Sequence, residues 1–396
     1  MLLQIINEAI TKFNASKPKA DLLLKGLLRK YPLGKAERTE VYEAFYYYLR
    51  HKNLVEFLAN TENSNDIAAT ALTLAGEGLI GLPDETQNKY EELTDELKEN
   101  YTASVPYFWQ EQLVAAFGAE TNKVAGYLNE RAGVTLFTLL RRNNRETLLE
   151  QFNNDNKITE AAVSHLSPAG IKLVGKVPKN DKLFFHPQDE ASQLTALLVN
   201  PASKDLLDYC SGHGGKAIAI GTFWPQLKLY ADDIRSHLAE TTMERAQLAG
   251  VSLKWLNYHK IERQFDTVFI DAPCSGSGVW RRNPEDKYRI NDKKLAELIA
   301  TQRHLLKQAA KLVAKGGELI YVTCSFSRRE NEENIEWFLT NHSNYQLVNA
   351  KERLAQNLSP YNSFNTNDYF YDNFYLRNKI NLKADLFFAT IIQKDG

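Results

Sequence analysis

Cysteine is nearly missing from this sequence. Its 396 residues hold three, at 210, 274 and 324, with no two within 40 residues of each other. That spacing excludes a disulfide framework and any CxxC metal site, so a reducing, cytoplasmic setting without a bound metal is expected. Net charge is missing too: 48 Lys and Arg against 49 Asp and Glu leave −1. Composition therefore gives no general support for nucleic-acid binding. The balance is uneven, at −4 over residues 1–100, +2 over 101–185 and +1 over the rest, so an anionic partner must be met by local patches. No apolar run approaches the roughly 20 residues of a membrane span. The opening "MLLQIINEAITKF" lacks a basic leader and reads as an amphipathic helix rather than a signal peptide.

Three regions follow from the patterning. Residues 1–100 read as an all-helical domain: "KADLLLKGLLRKY" and "AERTEVYEAFYYYLRHKNLVEFL" repeat apolar residues at helical spacing. The triple tyrosine at 46–48 is assigned to packing, because three consecutive helical positions point in different directions. Residues 101–185 read as a small α+β unit with helices at 109–117 and 121–130 and strands in "GVTLFTLLRRNN", "IKLVGK" and "DKLFFH". Arg141, Arg142 and Arg145 form a basic cluster there, either phosphate contacts or a solvated strand end. From residue 186 to 396 strands alternate with helices, which predicts an α/β, doubly wound parallel sheet. Ligands of such sheets bind beyond the C-terminal strand ends, and all three cysteines fall at such ends.

"DYCSGHGGKA" follows the first strand of that sheet. It is no Walker A loop, since Cys210 stands where glycine and Ala217 where Ser or Thr is required. Gly212, Gly214 and Ala217 satisfy a dinucleotide fingerprint, with Asp233 placed for a ribose hydroxyl. S-adenosylmethionine uses the same geometry. Asp208 on the strand itself favours that cationic cofactor over a pyrophosphate.

"DAPCSGSGVWRRNPEDKYR" and "YVTCSFS" end two consecutive strands, so Cys274 and Cys324 should border one crevice. Carbon 5 of a pyrimidine is too weak a nucleophile to attack a methyl sulfonium. A thiolate adding at carbon 6 makes carbon 5 enamine-like. One thiol for attack, a second for resolution and Asp271 on the ring's N3 complete a set for that chemistry. The base must leave any stack to reach it, which favours unpaired RNA or extrusion. Ser327 and Glu330 read as a capping box whose helix dipole would favour the Cys324 thiolate.

The pairing of "DAPCSGSGVWRRNP" with "YVTCS", and "QDEASQL" ahead of "DYCSGHGGK", resembles the RNA cytosine-C5 methyltransferase (Sun) family. The resemblance covers about 210 residues. It implies a Rossmann-like class I methyltransferase domain, S-adenosylmethionine as cofactor, Cys324 as nucleophile and Cys274 as the residue aiding release. It also implies a cofactor site of Asp208, Cys210, Ser211, Gly212, His213, Gly214, Gly215, Lys216, Asp233, Asn257 and Asp271. Residues 101–185 are similar to the family's RNA-recognition-like domain. Residues 1–100 are similar to the NusB-like helical domain of the bacterial members that modify small-subunit ribosomal RNA. Arg281, Arg282, Lys287 and Arg289, with Arg141 and Arg142, are expected on the RNA backbone. Ser211, Gly212 and His213 depart from the family's alanine-alanine-proline, Asn257 stands where the family usually presents an aspartate toward the adenine, and Leu386 departs from its Asp-Gly-Phe-Phe strand. The expectation is a monomeric rRNA cytosine-C5 methyltransferase. A tRNA enzyme, a weakened RNA-binding assembly factor and, last, an NAD-dependent enzyme stand as alternatives. The aromatic-rich segment 361–378 fits either a base-stacking surface or a loop packed on the sheet edge.

Overall fold

The computed structural model describes residues 1–156, 158–175, 177, 184–256, 261–361 and 366–396. The chain forms two compact units. The first comprises Met1–Arg131 together with Val279–Lys294, and the second Ala132–Gly278 with Leu295–Gly396. The boundaries expected at 100 and 185 coincide with neither. The helices Tyr107–Phe117 and Thr121–Asn129 belong to the first unit, and the short sheet beyond them to the second.

In the first unit, helices Leu2–Ser16, Lys35–Arg50 and Ser64–Gly76 turn their apolar stripes inward. Ile6, Ile10, Phe13, Phe45 and Tyr48 are buried among them. Tyr48 is enclosed while Tyr46 and Tyr47 pack at half-buried positions, as the directional argument predicts. The segment Val279–Lys294 completes this unit: Trp280 meets Trp109 edge to face at 5.3 Å.

The second unit holds two sheets. The smaller is antiparallel, β1 (Val134–Thr138), β2 (Ile158–Val163), β3 (Gly170–Gly175) and β4 (Phe185–Pro187), in the order β2-β3-β1-β4. The larger contains β5 (Asp205–Asp208), β6 (Lys228–Ala231), β7 (Leu253–Trp255), β8 (Phe265–Asp271), β9 (Val313–Thr323), β10 (Tyr345–Val348), β11 (Tyr375–Arg377) and β12 (Phe388–Lys394). Its order is β10-β12-β9-β8-β5-β6-β7, with β11 also pairing β12. β5 to β9 are parallel, and β12 runs antiparallel to β9. The central strands are apolar on both faces, with Leu206, Leu207, Val268, Phe269, Ile270 and Leu319 fully enclosed. That is what helices on either side of a parallel sheet require.

The strand order reverses between β5 and β8, which fixes the crevice beyond their C-terminal ends. β8 and β9 are neighbours, so the two cysteine-bearing segments leave adjacent strand ends, as predicted. The long helix Asp292–Leu312 runs directly into β9. In the segment 361–378, Tyr375–Arg377 is a strand on β12 with Phe370 and Leu376 buried, while Tyr361, Tyr371 and Phe374 are exposed. No helix among the described residues is long and apolar enough to cross a membrane.

Candidate active site

A cavity of about 750 Å3 opens beyond the C-terminal ends of β5, β6, β8 and β9. Cys210 to His213, Gly215 and Lys216 reach it from the loop after β5, and Asp233 from the end of β6. Asp271, Cys274 and Cys324 complete the predicted set around it. The loop takes its path because glycine permits it. Gly212 and Gly214 adopt φ of 54° and 76°. A Cβ on Gly214 would also lie 2.6 Å from Thr242 Cγ2. From Gly214 the chain enters the helix Gly215–Phe223, whose N-terminal N–H groups begin at the cavity wall. Asn257 lies outside the described residues.

Asp208 sits behind this wall, fully buried beside Ser211. Burial, reinforced by the charge of Asp271, pushes its pKa up to about 7. Asp233 is held differently. Its Oδ2 accepts from the Gly212 N–H at 2.9 Å, and Arg235 forms a two-point ion pair with it at 2.8 and 2.9 Å. Burial opposes the Asp233 carboxylate, but these donors outweigh it and lower its pKa.

Across the cavity, Lys216 Nζ lies 2.6 Å from Asp271 Oδ2 and 5.3 Å from the centre of the Phe387 ring. Burial disfavours this ammonium, yet Asp271 outweighs it and raises the Lys216 pKa. Cys274 Sγ and Cys324 Sγ are 3.3 Å apart. The contact with Cys324, together with burial, raises the Cys274 pKa well above a thiol's ordinary value. Burial does the same for Cys210. Two thiols, a carboxylate and an ammonium thus share one wall, with a glycine loop beside them.

The family model described as 16S rRNA methyltransferase RsmB/F matches residues 196–377, which include both cysteines and the glycine loop. The catalytic region of this chain is similar to that family. Proteins named ribosomal RNA small subunit methyltransferase B are similar to it. That of Sodalis glossinidius is 30% identical over 267 residues, 64% of this chain and 61% of its own. For Synechocystis the identity is 27%, over 80% of this chain and 76% of that one. The Bacillus subtilis protein, named as probable, is 33% identical over 44% of this chain and 41% of its own. The match thus spans less than two thirds of the Sodalis and Bacillus relatives. Among solved structures, PH0851 superposes with a TM-score of 0.74 at 22% identity, covering 99% of this chain and 98% of that one. NSun6 from Pyrococcus horikoshii with SFG gives a TM-score of 0.61 at 17% identity, over 75% of this chain and all of that one. These likenesses establish the fold, a Rossmann-like methyltransferase domain with helical N-terminal structure.

Two of the cations expected on an RNA backbone, Arg281 and Lys287, are enclosed instead. Arg281 is buried in the first unit, its guanidinium 4.3 Å over the Tyr127 ring and donating to the Tyr127 hydroxyl at 2.6 Å. Lys287 is enclosed there too, donating to Asn129 Oδ1 at 2.6 Å and to the Arg50 carbonyl at 2.9 Å. Burial drives its pKa well below the lysine range. Arg289 donates to Asp286 and to the Lys17 carbonyl, and Arg282 is half-buried. Arg281 and Lys287 are tolerated because acceptors surround them, and they present little to an RNA backbone, whereas Arg282 and Arg289 keep part of their surface exposed. Arg142 donates to the Gln247 and Leu248 carbonyls at the end of the helix Ala239–Leu248, and Arg141 to the Gly221 carbonyl. Their charge closes helix C-termini, where carbonyls lack partners.

The expected capping box does not form. The helix after Cys324 starts at Glu332, with Asn331 as its N-cap, and the Ser327 N–H donates to the Ser325 hydroxyl. Sequence reasoning also missed Gln188, Ser192, Arg235, Thr301 and His304 on the cavity wall. Gln188 lay within the quoted "QDEASQL" lead-in, and Arg235 two residues past Asp233, but nothing local marked Thr301 or His304.

Proposed function

We propose that this chain methylates carbon 5 of a cytosine in RNA, with S-adenosylmethionine as the methyl donor and small-subunit ribosomal RNA as the substrate. The observation that carries this reading is the pair of thiols 3.3 Å apart on the wall that also holds Asp271, Lys216 and the glycine loop. The names of the relatives support the ribosomal substrate.

The residues suit the cofactor. The loop leaves room for close backbone approach at two left-handed glycines, and the buried Asp208 carboxylate favours a nearby cation. Asp233 at the second strand end is the acceptor for ribose hydroxyls, exchanging its Arg235 partner for them. When bound, S-adenosylmethionine supplies an electrophilic methyl group at the cavity wall. Cys324 adds as thiolate to carbon 6 of the cytosine, and the electron pair displaced toward carbon 5 makes that carbon nucleophilic. Addition at carbon 6 makes N3 basic, and once protonated its N–H donates to the Asp271 carboxylate, which Lys216 holds in place at 2.6 Å. After transfer, loss of the carbon 5 proton restores the ring double bond and expels Cys324. Cys274, in contact with the departing sulfur, assists this release.

The test compares Cys274→Ala and Cys324→Ala, each incubated with S-adenosylmethionine and total RNA from cells lacking the gene, then run on a denaturing gel. Cys274→Ala should carry a stable RNA adduct and Cys324→Ala none. Sequencing the trapped RNA separates ribosomal from transfer RNA. Absence of adduct in both variants, with no transfer by the wild type, would refute the reading.

A further inference from the structure

The two cysteine-bearing segments are joined by a buried carboxylate that the mechanism above does not use. Glu330 is fully enclosed and accepts four hydrogen bonds. Its Oε1 accepts from the Ser275 N–H at 2.8 Å and from Gln302 Nε2 at 2.9 Å. Its Oε2 accepts from the hydroxyls of Ser275 and Ser325, each at 2.5 Å. Ser275 follows Cys274 and Ser325 follows Cys324. All four contacts come from donors, which suits a carboxylate, a group that only accepts. Charge-assisted bonds of this length are also the stronger kind.

The remaining hydroxyl geometry is consistent with this donor assignment. Ser325 Oγ, having given its proton to Glu330, accepts from Ser277 Oγ at 2.9 Å and from the Ser327 N–H at 3.0 Å. Ser277 Oγ in turn accepts from the Phe326 N–H at 3.0 Å. Gln302 also donates to the Pro273 carbonyl at 2.9 Å, so the residue before Cys274 is held by the same group that binds Glu330.

The anchoring of the two cysteines is unequal. Cys324 directly follows β9, and its carbonyl accepts from the Gly278 N–H at 2.9 Å. Thr323 beside it is tied to Asn331 at 2.6 Å. Cys274 lies past the end of β8 in irregular chain, ahead of Gly276 at φ 68°. There the backbone N–H of Ser275 is held by Glu330.

The geometry points to Glu330 as a positioning residue that sets the spacing of Cys274 against Cys324, so that it governs release of the covalent RNA adduct more than its formation. This rests on Cys324 as nucleophile and Cys274 as the residue assisting release. Removing the carboxylate frees the Cys274 segment while β9 continues to hold Cys324. The step that needs Cys274 is then the step that slows.

The experiment uses the full chain as wild type, Glu330→Gln and Cys274→Ala. Substrates are total RNA from gene-deleted cells and methyl-labelled S-adenosylmethionine. Readouts are the adduct on a denaturing gel, the rate of methylated-RNA release, the KM for the cofactor and the thermal midpoint. For Glu330→Gln the expected result is an adduct visible above wild type and release slowed about a hundredfold, the loss that a displacement of ~1 Å produces. The cofactor KM should be unchanged, since Glu330 is not on the cavity wall. If Cys274→Ala traps RNA but Glu330→Gln turns over without adduct, or loses transfer without adduct, the positioning role is overturned while the cysteine roles stand. If Cys274→Ala traps nothing, the cysteine assignment itself has failed and the inference goes with it. Should Glu330→Gln not fold, Ser275→Ala combined with Ser325→Ala keeps the carboxylate, removes its two hydroxyl donors and faces the same outcomes.

Discussion

Gly278→Ala is a severe change for one methyl group. A Cβ at this position would overlap the Leu386 carbonyl oxygen, come within 2.9 Å of its carbon and lie 3.0 Å from the Cys324 carbonyl oxygen. Each of these is backbone, so no side chain can swing aside. Relief requires a shift of about 1.4 Å between the two segments, since the closest contact is 2.0 Å and ordinary contacts begin near 3.4 Å. The same atoms carry two hydrogen bonds, Gly278 N–H to the Cys324 carbonyl at 2.9 Å and Leu386 N–H to the Gly278 carbonyl at 3.0 Å. Overpacking costs about 1–3 kcal/mol, and weakening two backbone bonds adds roughly 1 kcal/mol each. The sum, about 3–5 kcal/mol, corresponds to a fall of roughly 10 °C in the melting of a unit of this size. The displacement also moves Cys324 against Cys274, so methyl transfer should fall about a hundredfold. Calorimetric melting and single-turnover transfer measure the two effects. A melting temperature within 2 °C or so of wild type, with undiminished transfer, would refute the argument.

Two further outcomes follow from buried charges. Asp208 has its folded pKa raised from 3.8 to about 7, so it stabilises the fold relative to higher pH only while protonated. Wild type should lose stability against Asp208→Asn by up to about 1.4 kcal/mol per pH unit as pH rises from about 4 to about 7. Above that the difference should level off; denaturant midpoints across this range check it, and parallel profiles would contradict it. Arg353 pairs with buried Glu318 through two contacts of 2.9 Å. Arg353→Met should cost about 3–5 kcal/mol by leaving that carboxylate uncompensated. Adding Glu318→Leu should recover most of the loss, and a double variant no more stable than the single one would show that the charge is not the cause.

Much of the candidate site was legible because its signals are local. The glycine loop, Asp208, Asp233, Asp271 and the two cysteines each stand within a few residues of a strand end. Alternating strands and helices place those ends on one edge of a parallel sheet. Even the packing of the tyrosines at 46–48, Tyr48 enclosed and its two neighbours half-buried, followed from helical direction alone. What escaped was weakly patterned or nonlocal. β2 reads "ITEAAV", with exposed and half-buried positions and no apolar face, and β10 and β11 are short edge strands recruited by β12.

The arginines show the same limit more sharply. "RRNPEDKYR" reads as a basic run for an anionic partner, and "LLRRNN" as either phosphate contacts or a solvated strand end. Whether a cation is free for a ligand depends on what its neighbours offer, and here the acceptors come from Tyr127, Asn129, Arg50, Gln247 and Leu248, about 80 or more residues away along the chain. Glu330 is the same case within the active site. By itself the sequence determined the sheet, the edge on which the ligand cavity opens and the reactive groups on it, because periodicity and turn chemistry act over a few residues. Only the tertiary structure decided which charges are consumed internally and which carboxylate couples the two cysteines, because a buried polar group is defined by partners that folding alone brings within 3 Å.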